Sequence, residues 1–273
     1  MSETTQQQLS KAEITSRLRA LGVQRAGVLL VHTSFRAIKP VEGGPLGLIE
    51  AIADAVGPGS TLVMPSFSGN DDEVFDPATT PASPDLGIVA DKFWRLPGVL
   101  RSNHCHAFAA FGTYASVVTR DPLPLPPHIP TSPAGRVYDL DGQVLLLGVG
   151  HDADTMLHLA EVRAGVPYTV PKHCTVLQDG RPTWIDYEEN DHCCERFSLA
   201  DAWLRERGMQ SEGRIGPAYA RLARARDIVQ VAVEQLERDP DVFLHPLTAG
   251  CAECNEARLS LSLPLLNKLD LAC

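Results

Sequence analysis

His158 and Glu161 stand three residues apart in LLLGVGHDADTMLHLAE, residues 145–161, and on a helix that spacing puts both on one face. A carboxylate beside an imidazole fixes its tautomer and raises its basicity, which is what a general base needs. The apolar run before them ends in Gly148 and Gly150, so the pair opens a helix that directly follows a buried strand. Loops at the carboxyl ends of strands in an α/β sheet are where such sites gather. A solvated surface pair has the same spacing, so the motif names a candidate base and not yet a reaction. His151, Asp154 and His158 in the same segment are also the ligand types of a zinc hydrolase.

The charge distribution suggests what such a base would act on. The chain of 273 residues carries a formal net charge of -10, which argues against a nucleic-acid surface and suits a cationic partner. Between Lys39 and Lys92 there is no basic residue, yet Asp71, Asp72, Glu73, Asp76 and Asp85 lie there. A second base-free interval, between Arg181 and Arg196, holds Asp186, Glu188, Glu189, Asp191 and Glu195. No run approaches the roughly 20 apolar residues that span a bilayer, and the polar start lacks a signal-peptide core, so the expected location is cytoplasmic, away from membranes.

The 7 cysteines are odd in number and scattered, which points away from a secretory disulfide framework. Cys193, Cys194, Cys251 and Cys254 have the ligand types of one structural zinc site, with His192 and His245 as alternatives. On a helix whose core face holds Phe197 and Leu204, Cys193 and Cys194 point inward and His192 outward, which favours the cysteines. Four reduced thiols without a metal fit the same pattern.

The elements that must position these residues follow from hydrophobic patterning. Residues 27–32, 60–64 and 143–149 read as buried strands, and residues 46–56 and 86–96 as helices ended by Gly-Pro-Gly and Pro-Gly. Strand, helix, strand implies a crossover and an α/β fold. The proline-rich run 121–133 predicts an extended surface loop. Strands at 175–178 and 183–187 flank an Asp179-Gly180 turn, a hairpin signal. Helices are expected over 191–207 and 221–237. The domain expected is 11–262, with a smaller subdomain inside about 170–262, a disordered stretch at 1–10 and a flexible tail at 263–273.

Taken in order, GPLGLIEAI, TLVMPSFS, FDPATTPASPDLGIVADKFWRLPGVLRS, DPLPLPPHIPTSPAGRVYDLDGQVLLLGVGHDADTMLHLAE and VPKHCTVLQDG resemble the antibiotic N-acetyltransferase family. ENDHCCERF and AGCAEC add a likeness to the apramycin-acetylating branch of its aminoglycoside 3-N-acetyltransferases, and the resemblance runs over residues 11–258.

This resemblance implies a three-layer α/β/α fold around a mixed central sheet, with a smaller C-terminal subdomain. It implies transfer of acetyl from acetyl-CoA to the 3-amino group of 2-deoxystreptamine antibiotics of the apramycin, gentamicin and tobramycin class, which gives resistance. His158 falls on the family's catalytic histidine and Glu161 on its supporting acid. His32-Thr33-Ser34 and Arg101-Ser102, together with Thr155, fall on segments that hold coenzyme A; Thr33, Cys105 and Phe108 depart from the family pattern there. Glu189 and Asp191 match acidic substrate-binding positions, with Asp71 and Asp72 as further candidates. The mechanism implied is direct transfer in a ternary complex, with Thr155 and main-chain donors stabilising the oxyanion. The alternatives are an acetyltransferase for another amine natural product, the zinc hydrolase, and a catalytically silent protein that sequesters a polycation. The oligomer expected is a monomer or dimer.

Overall fold

Val28 and Leu30 of strand β1 (Val28–Thr33) enter one hydrophobic core, and Leu29 and Val31 another. That alternation is the two-residue period of a strand buried on both faces. Gln143–Leu147 does the same, sending Val144 and Leu146 to the first core and Leu145 and Leu147 to the second. Each fully buried leucine contributes about 1.5–3 kcal/mol. The structure, a computed structural model, describes residues 8–120 and 125–261.

The remaining strands are β2 (Thr61–Pro65), β3 (Val74–Phe75), β4 (Leu100–Arg101), β5 (Phe108–Gly112), β6 (Gln143–Leu147), β7 (Val170–Gln178), β8 (Arg181–Glu189), β9 (Gln210–Ile215) and β10 (Ala218–Arg224). Seven of them form a mixed sheet in the order β4-β5-β2-β1-β6-β10-β9. The neighbours β2–β1 and β1–β6 pair in parallel, and the other neighbours in this sheet pair antiparallel. Helices Lys11–Leu21, Gly44–Val56 and Gly87–Trp94 fill the core on one face. Helices Pro133–Asp139, Met156–Ala164 and Ala225–Leu236 fill it on the other. This is the three-layer α/β/α arrangement the resemblance implies.

Chain direction makes the centre of the sheet a place for a ligand. From β1 the chain crosses through helix Gly44–Val56 to β2 on one side, while β6 joins β1 on the other. Strand order therefore reverses around β1, and the crevice beyond the carboxyl ends of such strands is where open α/β sheets bind ligands. Gly148, just past β6, has φ +74°, and a Cβ there would meet the Ala37 Cβ at 2.5 Å. Only glycine lets the chain leave β6 so close to the turn after β1.

A second, three-stranded sheet orders β3-β7-β8. The β7–β8 hairpin closes on Asp179 (φ 51°) and Gly180 (φ 73°), with Gln178 opposite Arg181, the geometry that a two-residue turn with positive φ at both positions gives.

Local expectations fail in three places. Residues 191–193 are not helical: a 3-10 turn begins at Cys194 and the α-helix only at Ala200–Glu206. Residues 221–224 belong to β10, where Ala218, Ala220 and Leu222 are buried at a period of two, so the helix starts at Ala225. Residues 8–10 are ordered: Leu9 bridges to Val41, and Ser10 Oγ caps helix Lys11–Leu21 by accepting from Glu13 N at 3.1 Å. Residues 1–7 and 262–273, the latter taking in the expected tail at 263–273, and the first four residues of the proline-rich run lie outside the described residues. Among the described residues no helix is long and apolar enough to cross a membrane.

Candidate active site

The turn after β6 first builds its own support. His151 and Asp154 are buried and bond each other, Nδ1 to Oδ2, at 2.9 Å. The other His151 nitrogen meets Gln210 Oε1 at 2.7 Å, and Asp154 Oδ1 accepts Met156 N at 3.0 Å. These two residues fasten the start of helix Met156–Ala164 to β9, so they are not available beside His158 as hydrolase metal ligands.

His158 and Glu161 then meet as their spacing requires, Nδ1 to Oε2 at 3.3 Å. Glu161 is fully buried, and its other oxygen accepts from Tyr168 OH at 2.6 Å and meets His192 Nε2 at 2.7 Å. His192, expected to face outward, is buried because it reaches this carboxylate. Burial alone would raise the Glu161 pKa, but hydrogen bonds from His158 and His192 hold it at about 2. Burial likewise opposes charge on His158, and its neighbours Cys194 and Glu161 outweigh that, leaving it well above 6.5.

Cys194 Sγ lies 3.5 Å from His158 Nε2. It faces His158 and not the other cysteines, so Cys193, Cys194, Cys251 and Cys254 do not form the expected four-thiolate set; Cys193 instead groups with Glu195 and His245.

Two clefts meet at His158. The first, about 280 Å³, lies over the carboxyl ends of the parallel strands and is lined by His32, Thr33, Pro65, Phe67, Thr155 and Cys194, among others. Thr155 Oγ1 stands 3.0 Å from His32 Nε2, and the buried Thr33 Oγ1 has no hydrogen-bond partner. Ser34 stands at the start of the short helix Phe35–Ile38 without a side-chain capping bond. Arg101 and Ser102 are not in this lining. The Arg101 guanidinium binds Ser66 and the Thr80 carbonyl and stacks on Phe75 and Trp94, while Ser102 Oγ accepts Phe108 N at 2.9 Å. Both brace the β4–β5 corner.

The second cleft, about 270 Å³, shares Phe67, Thr155 and His158 with the first and adds Asp71, His106, His128, Lys172, Glu189 and Asp191. Glu189 is buried, with His128 Nδ1 at 3.2 Å and His106 Nε2 at 3.8 Å. Burial would raise its pKa, yet His106 and then His128 hold it down at about 2. Asp191 pairs with Lys172 at 2.5 Å. Asp72 is exposed and bonds His173 at 2.8 Å, outside the cleft lining. His128 also stacks on His158, ring centroids 4.7 Å apart. Sequence reasoning missed His106 and His128; their one signal was histidine inside a proline-rich loop and an H-x-H turn.

Burial dominates three histidines here, pushing His32 and His128 down to about 4 and His104 to about 3. Each stays neutral in the fold while its unfolded counterpart takes a proton below about 6.5, so each withdraws stability as pH falls from 6.5 toward its folded value. The cost approaches about 1.4 kcal/mol per pH unit per histidine. The melting temperature, followed by circular dichroism, is therefore expected to drop across this window, and a flat profile would contradict the burial of these rings.

Two clefts thus share one histidine with a buried carboxylate behind it, and comparison with known proteins names the class. The aminoglycoside 3-N-acetyltransferase family model matches residues 30–237. Aminoglycoside N(3)-acetyltransferase IV from Salmonella sp. is 65% identical over 240 residues, covering 88% of this chain and 92% of that protein. The crystal structure of aminoglycoside acetyltransferase AAC(3)-IVa without ligand superposes with a TM-score of 0.92 at 63% identity, covering 94% of this chain and all (100%) of that one. A variant of the same enzyme in complex with apramycin gives 0.85 at 60% identity, over 92% and 100% of the two chains. The chain belongs to the aminoglycoside 3-N-acetyltransferase family. It is thus an acetyl-CoA-dependent N-acetyltransferase.

Proposed function

We propose that the two clefts hold the two substrates and that His158, oriented by Glu161, takes a proton from the attacking 3-amino group of a 2-deoxystreptamine antibiotic. The observation that carries this reading is that His158 is common to both linings. The first cleft, walled by strand ends and the unpartnered Thr33 hydroxyl, suits the arm of acetyl-CoA, which brings the acyl group as a thioester. Thr155, held by His32, stands beside the base as a donor for the developing oxyanion. The second cleft replaces the hydration of a polycation with Asp71, Glu189 and Asp191. Apramycin and the gentamicin-type antibiotic seen with the related enzyme are the first substrates to try, and their acetylation gives resistance.

A panel of aminoglycosides incubated with acetyl-CoA and followed by mass tests the reading. One acetyl group on the 3-amine is expected. Unchanged mass would leave a sequestering protein, and acetylation elsewhere would overturn the proposed orientation.

The acidic wall has its own test. A charge-assisted contact to an ammonium contributes about 1.5–3 kcal/mol, and each 1.4 kcal/mol is about tenfold in affinity. Glu189→Gln and Asp191→Asn are each expected to weaken antibiotic binding by about tenfold or more, with acetyl-CoA affinity unchanged, in calorimetry on protein of checked melting temperature. If both bind as the parent does, the antibiotic sits elsewhere.

A further inference from the structure

Cys194 lines the first cleft, yet direct acetyl transfer gives it no task. Its sulfur lies 3.5 Å from His158 Nε2, while the other nitrogen of that ring meets the buried Glu161 carboxylate at 3.3 Å. With Nδ1–H donating to Glu161, Nε2 is the atom that accepts the thiol proton. Thiol, imidazole and carboxylate thus stand in the order of a nucleophile, its base and the acid that orients the base. One carboxylate holds the arrangement from both ends. Glu161 fixes the His158 ring directly, and through His192 Nε2 at 2.7 Å it fixes the residue two places before Cys194. Phe197, in the 3-10 turn that Cys194 begins, packs edge-on against the His158 ring with centroids 4.9 Å apart. Thr155 lines the same cleft, so thiol, base and a hydroxyl donor face one volume.

We infer that Cys194 is an acyl-accepting nucleophile: when the second cleft is empty, it takes the acetyl group of acetyl-CoA and yields it to water, so the enzyme is also a slow acetyl-CoA thioesterase. The inference rests on the reading that the first cleft takes acetyl-CoA. In the first step the thiol proton passes to His158 Nε2 as the sulfur attacks the thioester carbon. A C–S bond forms at Cys194, the C–S bond to coenzyme A breaks, and the departing thiolate takes the proton from Nε2. One thioester replaces another, with no change in oxidation state. In the second step Nε2 takes a proton from water as its oxygen adds to the acyl carbon, and the Cys194 sulfur leaves and regains that proton. The products are acetic acid, which ionises in solvent, and the free thiol. An antibiotic amine standing at Nε2 parts the sulfur from its base, which confines this chemistry to the enzyme without antibiotic.

Full-length enzyme incubated with acetyl-CoA alone and quenched in acid is expected to gain the mass of one acetyl group, removable by hydroxylamine and mapped by peptide to Cys194. Radiolabelled coenzyme A should exchange into acetyl-CoA under the same conditions, which direct transfer cannot do, and acetate should accumulate. Cys194→Ala should bring all three to background, His158→Ala should slow them by about 10²-fold or more, and Cys193→Ala should keep them. If Cys194→Ala fails to fold, the parent's mapped acetyl group and its exchange decide. An enzyme that acetylates an aminoglycoside but shows neither acetyl on Cys194 nor exchange overturns the inference and leaves the reading of the cleft standing. Acetyl spread over the other cysteines, or acetate formed by Cys194→Ala at the parent's rate, overturns it too. If coenzyme A does not protect Cys194 from iodoacetamide, the first cleft does not hold it and both readings fall.

Discussion

His158→Ala is expected to lower turnover by about 10²-fold or more, the usual scale for losing a general base, while antibiotic binding persists. On the proposed reading the side chain acts as the base because both linings share it: its Nδ1 is committed to Glu161, and its Nε2 faces only the weakly bonding Cys194 sulfur at 3.5 Å, which an incoming amine can replace. The base works only when neutral. Because its neighbours hold its pKa well above 6.5, kcat/KM should rise with pH through a midpoint above that value. Glu161 favours the charged ring, so Glu161→Gln should move the midpoint downward. Near-normal turnover in folded His158→Ala would end the assignment, and an unmoved midpoint in Glu161→Gln would detach Glu161 from it.

Glu161→Ala is expected to be the more damaging change, costing about 3–5 kcal/mol, the scale of breaking a buried ionic group's partnerships. Tyr168 OH, His192 Nε2 and His158 Nδ1 all converge on this one carboxylate, so its removal strands the buried Tyr168 and His192 together with the half-buried His158. Glutamine keeps an oxygen for Tyr168 and separates the two roles: it should melt nearer the parent yet turn over slowly. Denaturant titration of the three proteins checks this. An alanine variant as stable as the parent would mean that water satisfies the three groups.

The central strands and the hairpin were legible because each is dictated locally. Residues 28–31, 62–65 and 144–147 are continuous apolar runs, and Asp179-Gly180 tolerates positive φ at both turn positions. His158 and Glu161 were legible for the same reason, since three residues of helix fix their approach. Residues 191–193 were misread because a long-range bond, His192 to Glu161, overrides the local pattern. Residues 221–224 were misread because a helical period was extended backward across a strand end. His128 was invisible as a site residue since its meaning depends on Glu189, far away in the chain. Of the acidic residues singled out in the first base-free interval, Asp71 alone lines the second cleft, while Asp85 faces the first and Asp72 binds His173. Composition could announce the charge but not its destination.

The two clefts are made of different material, and that bears on how such an enzyme can change. The first is walled largely by ends of β1 and β2 and by the turn after β6, whose backbones are locked in the sheet and cannot shift without disturbing both cores. The second is walled by the loop at Asp71, the turns bearing His106 and His128, and the ends of β7 and β8. Loops and hairpin ends accept substitution far more readily than central strands do. If the clefts divide the substrates as proposed, drift toward new drugs under antibiotic selection would concentrate in the hairpin and loops while the strand-walled side stays constant, so a compound aimed at that side would meet a slower-moving target than one that imitates the drug.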